Sequence, residues 1–519
     1  MKKTLLTLLT FMACCYAFSQ GVTTASMNGR IVDTNGEPLI GATIIATHTP
    51  TGVEWGNVSD LDGFFRLNNL NVGGPYTIVV TYVGFETQQK SNVFLSLGQK
   101  LKVNFELSES ATALSEVVVS ANQGAIIDGN RTGASTFIDL QSINTLPNVG
   151  RSVGDFVRLT PQASIEEGND GLSISIGGQN NRYNAIYIDG AVNNDVFGLA
   201  GSGTNGGQTG VSPISIDAIE QFNVNVAPFD VRQSGFAGGS ISAVTRSGSN
   251  EFEGSIYHYF RNEKIAGKTP LEDGQQTQER DRLAEFSAQT TGFRIGGPVI
   301  KNKLFFFING EIQRDETPQP FNFDNYQGNV TQENLVSLRN FVSTQYGYDI
   351  GSFDNNTAFL DSDKFLAKID YNLNQNHKIT LRHSYTKAEN LEARRSTATG
   401  ISFSNGSEFF VSETHSSALE LKSSLGNKIS NNLTLGATFV RDDRDPFGDP
   451  FPAVFIDDGR GGIRFGAETF STANRLDQDI ITINNNLEYY AGRHTFIVGA
   501  NVELYRTLNL FIPFNFGDY

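Results

Sequence analysis

Three short motifs in this sequence carry residue types that catalysis or nucleotide binding could use. GRSVG at 150–154 has the spacing of a serine nucleophile, and GSGTNG at 201–206 has the spacing of a dinucleotide loop. Both motifs need a strand before them and a helix after them, which the flanking sequence does not provide. GKT at 267–269 has Asn262 where a P-loop requires glycine. We therefore expect no enzyme activity.

Metal-ligating patterns are weak in this sequence. None of the six histidines begins an H-E-x-x-H motif, and acidic residues cluster mainly in RDDRDPFGDP at 441–450. We expect this run to share one long loop with FIDDGRGG, where carboxylates could hold Ca²⁺ or simply form a solvated surface. We expect no cofactor. The calcium candidates are Asp442, Asp443, Asp445 and Asp449.

Length and charge exclude some classes of function. The chain has 519 residues, which predicts more than one structural unit. Its net charge is −16, with 55 acidic and 39 basic residues, so nucleic acid is not an expected partner. With 53 glycines and 39 phenylalanines but no apolar run of membrane-helix length, the composition favours β-structure.

The first 20 residues are typical of an export signal. Two lysines precede an apolar stretch from Leu5 to Phe18, which is short for a membrane helix. Both cysteines, Cys14 and Cys15, lie in this stretch, and a lipidated cysteine is the alternative interpretation. Cleavage near residue 20 would leave an exported chain without disulfides.

Two differently patterned regions follow the signal. Residues 26–107 contain short strands with turn signals at Asn35-Gly36 and Asp62-Gly63, which predicts a small β-sandwich with Asp62-Gly63 in a tight hairpin. From 108 to about 250 the pattern is mixed. It includes a helical segment that begins at Ser152, short strands and a glycine-rich loop.

From about residue 251 the chain alternates apolar and polar residues to its end. In KITLRHSY, Ile379 and Leu381 share a face opposite Thr380 and Arg382, and NLTLGATFV repeats this pattern. We count nine such strands of about ten residues, joined alternately by long loops and short turns, as in an outer-membrane barrel. A soluble sandwich is the alternative. Because such barrels close with even strand numbers, we expect the chain to be the N-terminal part of a longer protein.

These motifs resemble the TonB-dependent receptors of Gram-negative outer membranes. GRIVDTNGEPLIGATI and SDLDGFF are similar to a carboxypeptidase-regulatory-like domain, and YNAIYIDG and DAIEQFNVNVAPFDVRQSGFAGGSISAVTRSGSN to a plug domain. SGSNEFEGSIYHYFRNEKIAGK and GFRIGGPVIKNKLFFFINGE resemble the Oar-like branch. The resemblance implies a mainly β chain. Its expected parts are a signal peptide (1–20), a β-sandwich (26–107), a linker with a TonB box (108–122), an α+β plug domain (123–250) and a partial antiparallel transmembrane β-barrel (251–519).

The resemblance also implies sites and partners. SEVVVSA matches the TonB box, a periplasmic strand that would pair with TonB and its inner-membrane energising complex. The alternative is that Val117 to Val119 belong to the sandwich or the plug. The expected function is TonB-driven import of a bulky solute across the outer membrane. A barrel for adhesion, signalling or export is the other hypothesis. The TonB-box residues are Ser115, Glu116, Val117, Val118, Val119, Ser120 and Ala121, and the candidate solute-facing plug residues are Asn180, Asn181, Arg182, Tyr183, Asn193, Asn194 and Asp195. For these plug loops, simple turn formation is the alternative interpretation.

Overall fold

A computed structural model describes most of the chain. The described residues are 22–109, 115–116, 134–146, 148, 150–168, 171–226, 230–233, 235–268, 280, 282–426, 428–491 and 494–519. The predicted signal at 1–20 and Val117–Ala121 of the predicted TonB box lie outside them. No helix in these ranges has both the length and the hydropathy that crossing a membrane requires.

The prediction of a mainly β chain with a sandwich, a plug and a barrel sheet is confirmed. The N-terminal unit packs two sheets, one in the order β4-β1-β7 with β8 also on β1, the other in the order β3-β2-β5-β6-β9. Its strands are β1 (Ala25–Asp33), β2 (Thr43–His48), β3 (Val53–Val58), β4 (Phe64–Leu70), β5 (Gly73–Thr81), β6 (Gln88–Leu95), β7 (Lys100–Lys102), β8 (Phe105–Leu107) and β9 (Ser115–Glu116).

Alternation of apolar and polar residues builds the sandwich core. In β1 every second residue from Ala25 to Ile31 is buried, as a two-residue period requires for a sheet with one inner face. Gly63 has φ +79°, so the predicted turn at Asp62-Gly63 forms. The predicted tight hairpin is wrong, however, because β3 pairs with β2 and β4 pairs with β1. The turn therefore joins the two sheets.

The next unit combines short helices with a five-stranded sheet in the order β10-β15-β16-β13-β14 and a hairpin of β11 and β12. Its core is rich in isoleucine. In this core the ring of Phe156, from a short helix, meets the ring of Phe222, from the sheet, in an edge-to-face arrangement. The elements are β10 (Ala134–Ile138), α1 (Leu140–Thr145), α2 (Val153–Val157), β11 (Ala163–Gly168), β12 (Gly171–Ile176), β13 (Ala185–Ile188), β14 (Ala191–Val192), β15 (Ile219–Val226) and β16 (Gly239–Thr245).

The remaining chain forms a nine-stranded antiparallel sheet in the order β17-β18-β19-β20-β21-β23-β24-β27-β28, with β22, β25 and β26 paired in the outer loops. Its elements are β17 (Glu253–Asn262), β18 (Ser287–Ile300), β19 (Leu304–Pro320), α3 (Gln332–Tyr346), β20 (Asn355–Asn372), β21 (His377–Glu392), β22 (Gly400–Ser402), β23 (Glu408–Leu425), β24 (Ile429–Pro446), β25 (Val454–Asp457), β26 (Gly462–Phe465), β27 (Asn474–Ala491) and β28 (His494–Leu510).

The two faces of this sheet differ as the sequence predicts. Arg382 is fully buried on the face toward the plug, whereas neighbouring Leu381 is 47% exposed on the opposite face. Likewise Thr438 is buried and Phe439 is exposed. The strands reach 18 residues rather than the predicted ten, because their outer ends continue as polar hairpins past the apolar segment.

Long and short connections alternate along the sheet. The three long connections that follow β19, β21 and β24 form an outer layer with its own apolar core, in which α3 contributes Leu335 and Val342. Helix α3 begins at the capping residue Thr331 and ends at Gly347, whose φ of +65° suits a helix C-terminus. The outer layer is therefore an ordered part of the fold.

Candidate functional site

The plug lies against the polar face of the barrel sheet and is fixed there by buried ion pairs. Asp189, in the turn after β13, lies 3.3 Å from Arg382 Nε and 3.8 Å from Lys368 Nζ. The backbone N–H and the hydroxyl of Thr245 also donate to Asp189. Burial raises the pKa of Asp189, but the two cations and the Thr245 hydrogen bonds outweigh it, and the pKa is lowered. Asp189 therefore holds the plug as a carboxylate.

A second ionic contact holds the helical side of the plug. The Arg151 guanidinium lies 3.2 Å from Asp217 in the plug and 3.4 Å from Glu311 on β19. Glu311 also pairs with Lys364 at 3.1 Å and accepts a hydrogen bond from Ser215 at 2.9 Å. Burial alone lowers the pKa of Arg151, but Glu311 and Asp217 raise it above its usual range. The plug therefore has ionic contacts with several barrel strands.

At the outer end, a cavity of about 430 Å³ lies between a plug loop and the barrel sheet. The plug contributes Phe197 and Leu199, which are 40% and 46% exposed. Gln208 donates to Asp442 at 3.3 Å and accepts from Arg444 at 3.2 Å. An apolar lining with a few polar groups at defined positions is typical of a small-molecule site. This cavity is the candidate solute site.

The sequence analysis missed the plug residues of this cavity. Phe197 and Leu199 lie in the glycine-rich run VFGLAGSGTNGG, where two large apolar residues beside flexible glycines were the available signal. The predicted neighbours Asn193, Asn194 and Asp195 instead bind backbone. Asn194 donates to the Asn184 carbonyl, and Asp195 accepts from the Ala200 N–H. For these residues, the hydrogen bonds favour turn formation, the alternative weighed for such loops.

The other predicted plug residues form two groups, one that shapes the loop and one that remains a candidate for solute contact. Asn180 caps a 3-10 turn by accepting from Arg182 N–H, and Asn181 donates to the carbonyls of Ala200 and Gly201. Tyr183 is 53% exposed, and Arg182 is exposed as well. Arg182 and Tyr183 therefore stay as candidates for solute contact, while both asparagines shape the loop.

The structure does not bring the calcium candidates together. Asp442, Asp443 and Asp445 lie in β24 rather than in the predicted loop, because that strand continues to Pro446. Successive side chains of a strand point to opposite faces, so Asp442 is buried toward the plug while Asp443 faces outward. Asp449 follows in the loop. Within the described residues, no group of three metal-ligating side chains converges.

The start of the predicted TonB box lies beside the sandwich. The backbone of Ser115–Glu116 pairs in parallel with Gln88–Gln89 of β6, at the edge of the five-stranded sheet. For these two residues the pairing agrees with the alternative interpretation as a last sandwich strand. The TonB-box assignment of the whole segment remains a prediction.

Ser152 has a structural position. It is the N-cap residue of α2, and its backbone N–H donates to Asp155 at 3.4 Å. Among the residues that the structure describes, the elements before it are β10 and α1, and no strand leads directly into a nucleophile turn. The GRSVG motif is therefore explained by helix capping.

Comparison with known families identifies the class of protein. The chain belongs to the outer membrane beta barrel domain family, whose model matches residues 244–327 and 333–519. The carboxypeptidase regulatory-like domain matches residues 26–108, over the sandwich. The protein is therefore located in a Gram-negative outer membrane, as the sequence predicted.

Individual relatives agree with this family. The chain is similar to the TonB-dependent transporter Oar of Myxococcus xanthus, with 26% identity over 70% of this chain and 33% of Oar. It is also similar to the TonB-dependent receptor SusC of Bacteroides thetaiotaomicron, with 26% identity over 45% of this chain and 22% of SusC. The predicted resemblance to TonB-dependent receptors is confirmed. The chain spans about a third or less of the length of these relatives.

A solved structure shares the fold. The outer membrane transporter YddB from Escherichia coli aligns with 72% of this chain and 48% of YddB, at 14% identity and a TM-score of 0.50. This likeness shows a shared fold.

Proposed function

We propose that the protein is an energised outer-membrane receptor that binds a bulky solute at its outer face and imports it without covalent chemistry. The observation that carries the proposal is a folded plug held against the barrel sheet by ion pairs such as Asp189–Arg382. Water can replace such contacts when the plug moves, since each partner is polar. Similarity to TonB-dependent proteins supports the same function.

The outer cavity supplies the binding step of this proposal. Arg444 stacks on Phe410, with its guanidinium carbon 4.6 Å from the ring centre, next to Gln208. A solute with both apolar and hydrogen-bonding groups would fit beside Phe197 and Leu199. A peptide, an oligosaccharide or a metal chelate has such groups.

TonB is the proposed energy-transducing partner, and Ser115–Ala121 is the proposed contact. A β-branched triple has high strand propensity, and an added strand gains affinity from backbone hydrogen bonds. Val118→Pro removes one backbone donor and disfavours strand addition, whereas Val118→Thr retains strand propensity. Capture of the full-length receptor by the periplasmic domain of TonB should fall at least tenfold for Val118→Pro and little for Val118→Thr.

Deletion of Ser115–Ala121 tests the import step. Solutes that co-purify with the full-length protein, identified by mass spectrometry, provide the labelled compound. The deletion should abolish accumulation in cells and leave surface binding unchanged. Equal accumulation with and without the segment would contradict import and support a barrel for adhesion, signalling or export.

A further inference from the structure

The N-terminal sandwich contacts the barrel beside each of the four short connections of the nine-stranded sheet. At the first, between β18 and β19, the side chain of Asn302 lies so close to Gly52 that any side chain at position 52 would collide with Asn302. Just after the second, Lys378 places its Nζ 2.9 Å from the centre of the Trp55 ring. Both contacts come from the β2–β3 region of the sandwich.

The other two connections meet strand β4. Asn69 donates from Nδ2 to Ser430 Oγ at 2.8 Å, just after the connection between β23 and β24. The Arg66 guanidinium lies 5.5 Å from the ring centre of Tyr490, near the end of β27. The barrel also packs Phe305, only 1% exposed, against the apolar core of the sandwich. The sandwich therefore extends across the whole short-connection side of the described sheet.

The plug also contacts the sandwich. The Leu97 N–H donates to the side-chain carbonyl of Gln221 on β15 at 3.0 Å. The Asn250 N–H donates to the Pro50 carbonyl at 2.8 Å, at the step from plug to barrel. Both hydrogen bonds join segments far apart in sequence, so they hold the sandwich in one position relative to the plug.

A polar cavity of about 650 Å³ lies between the sandwich, the plug and the barrel sheet. His48 and Asn71 line it from the sandwich, Arg246 from the plug and Lys368 from the barrel. Among the described residues, Arg246 has no hydrogen-bond partner for Nε and Nη2, so this space suits water or a polar solute. A solute that passes the plug on this side reaches the sandwich next.

We propose that the sandwich is a second plug, which closes the periplasmic mouth of the barrel and must undock before a bulky solute can leave. The contacts at the sheet connections are small, mostly polar and separate from one another. They can break one after another while the buried residues of the sandwich itself stay packed; of the apolar contacts named above, undocking exposes Phe305 of the barrel. This closure goes beyond the proposed import function, because it exists whether or not TonB acts.

The test measures access to the cavity in the full-length protein in purified outer membranes. Val244→Cys, on a plug residue that lines the cavity, is exposed to a maleimide that carries a long polyethylene glycol chain. The charge reversals Arg66→Glu and Lys378→Glu remove two cation–π contacts. In this undocking variant, the labelling rate of Val244→Cys should be at least tenfold higher than with the unaltered sandwich. The chain without the added cysteine gives the background.

A matched pair of reversals controls for charge. Arg30→Glu and Lys102→Glu make the same change in net charge, but Arg30 contacts Phe64 and Asp62 within the sandwich, and Lys102 is exposed. These substitutions should leave the labelling rate unchanged. A rate that is equally fast in the unaltered sandwich and in the undocking variant would overturn the proposal.

Cross-linking tests the docked position directly. Asn69→Cys and Ser430→Cys should be joined efficiently by a short bismaleimide. Leu61→Cys and Ser430→Cys should not, because Leu61 precedes the opposite end of β4 from Asn69 and is 78% exposed. Equal yields would show a tethered, undocked domain and overturn the proposal. Neither readout uses TonB or a transported solute, so failure of import and failure of the second plug are distinguishable.

Discussion

The sandwich and the plug are small β-units of the same chain, but different forces fix them. The sandwich encloses Met27, Ile31 and Ile78, each with no exposed surface, in an apolar core. The plug also has an apolar core, to which the barrel adds Phe307 and Leu366, but unlike the sandwich it also meets the barrel through fully buried charges such as Asp189 and Arg382. An apolar core stabilises a unit by itself, whereas buried ion pairs mainly select one orientation and tolerate poorly the loss of a partner.

This difference suits the two proposed movements. A sandwich that undocks must stay folded away from the barrel, and its apolar core allows that. A plug that moves within a water-lined barrel exchanges ion pairs for hydrated charges, so its position is reversible. The comparison predicts that substitutions in the two units have separable effects.

The largest expected effect comes from Asp189→Ala. This substitution leaves Arg382 and Lys368 buried without their carboxylate, which costs about 3–5 kcal/mol in comparable sites. We expect that loss in the free energy of plug unfolding, measured by hydrogen exchange of the β13 and β16 amides in the full-length protein. Sandwich amides serve as the internal control.

A loss below about 1 kcal/mol, the range of exposed pairs, would contradict this account of the plug. Asp189→Asn separates charge from hydrogen bonding, since the amide can still accept from Thr245. The free energy of plug unfolding of Asp189→Asn should lie between that of the native protein and that of Asp189→Ala.

Ile78→Ala tests the other side of the comparison. Ile78 has no exposed surface in β5, and truncation of such a residue costs about 2–5 kcal/mol through lost burial and the cavity left behind. Sandwich amides should lose protection by that amount, while plug amides keep theirs. Val83→Ala is the matched control, because Val83 is 94% exposed.

If Ile78→Ala lowered the protection of plug amides to the same extent, sandwich and plug would unfold as one unit. The contrast between an independent and a dependent unit would then be wrong.

Local patterns made the barrel strands predictable. A two-residue period identifies the inward Arg382 and the outward Leu381 from the sequence alone, because successive side chains of a strand must alternate. The strand ends were less predictable. Asp442 and Asp443 belong to β24 because hairpins continue past the lipid-facing segment, where no apolar pattern marks them.

Contacts between distant segments could not be predicted. Asp189 and Arg382 are almost 200 positions apart, and neither has a neighbour that indicates its partner. Phe197 and Leu199 have an apolar signal, but only the packed plug loop shows that they line a cavity. The turn at Asp62-Gly63 was predictable, whereas the sheet that each flanking strand joins depends on the tertiary fold.

A pH dependence distinguishes the sandwich from the plug with a smaller effect. Burial, together with the nearby charge of Lys378, lowers the pKa of His48 from its usual 6.5 to about 4. Well above pH 6.5 His48 is neutral in both the folded and the unfolded state, so it adds no pH dependence there. Below that, the unfolded chain binds the proton first, and sandwich stability falls as pH drops toward about 4, by roughly 2–3 kcal/mol in total.

Urea unfolding of the sandwich between about pH 7 and pH 4.5, followed through Trp55 fluorescence, measures this loss. His48→Gln should remove most of the slope. An unchanged slope in His48→Gln would assign the pH dependence to carboxylates instead.

The smallest effect is expected from Arg314→Ala, which breaks an ion pair of the same chemistry as Asp189–Arg382 but in water. Arg314 lies 2.7 Å from Asp363, and their side chains are 44% and 50% exposed. Exposed pairs contribute less than about 1 kcal/mol, because solvent screens the attraction and each side chain loses conformational freedom. Hydrogen exchange of the β19 amides should therefore change little, and added salt should reduce even that change. If Arg314→Ala cost as much as Asp189→Ala, burial would not be what makes the plug contacts strong, and the ionic attachment of the plug would need another explanation.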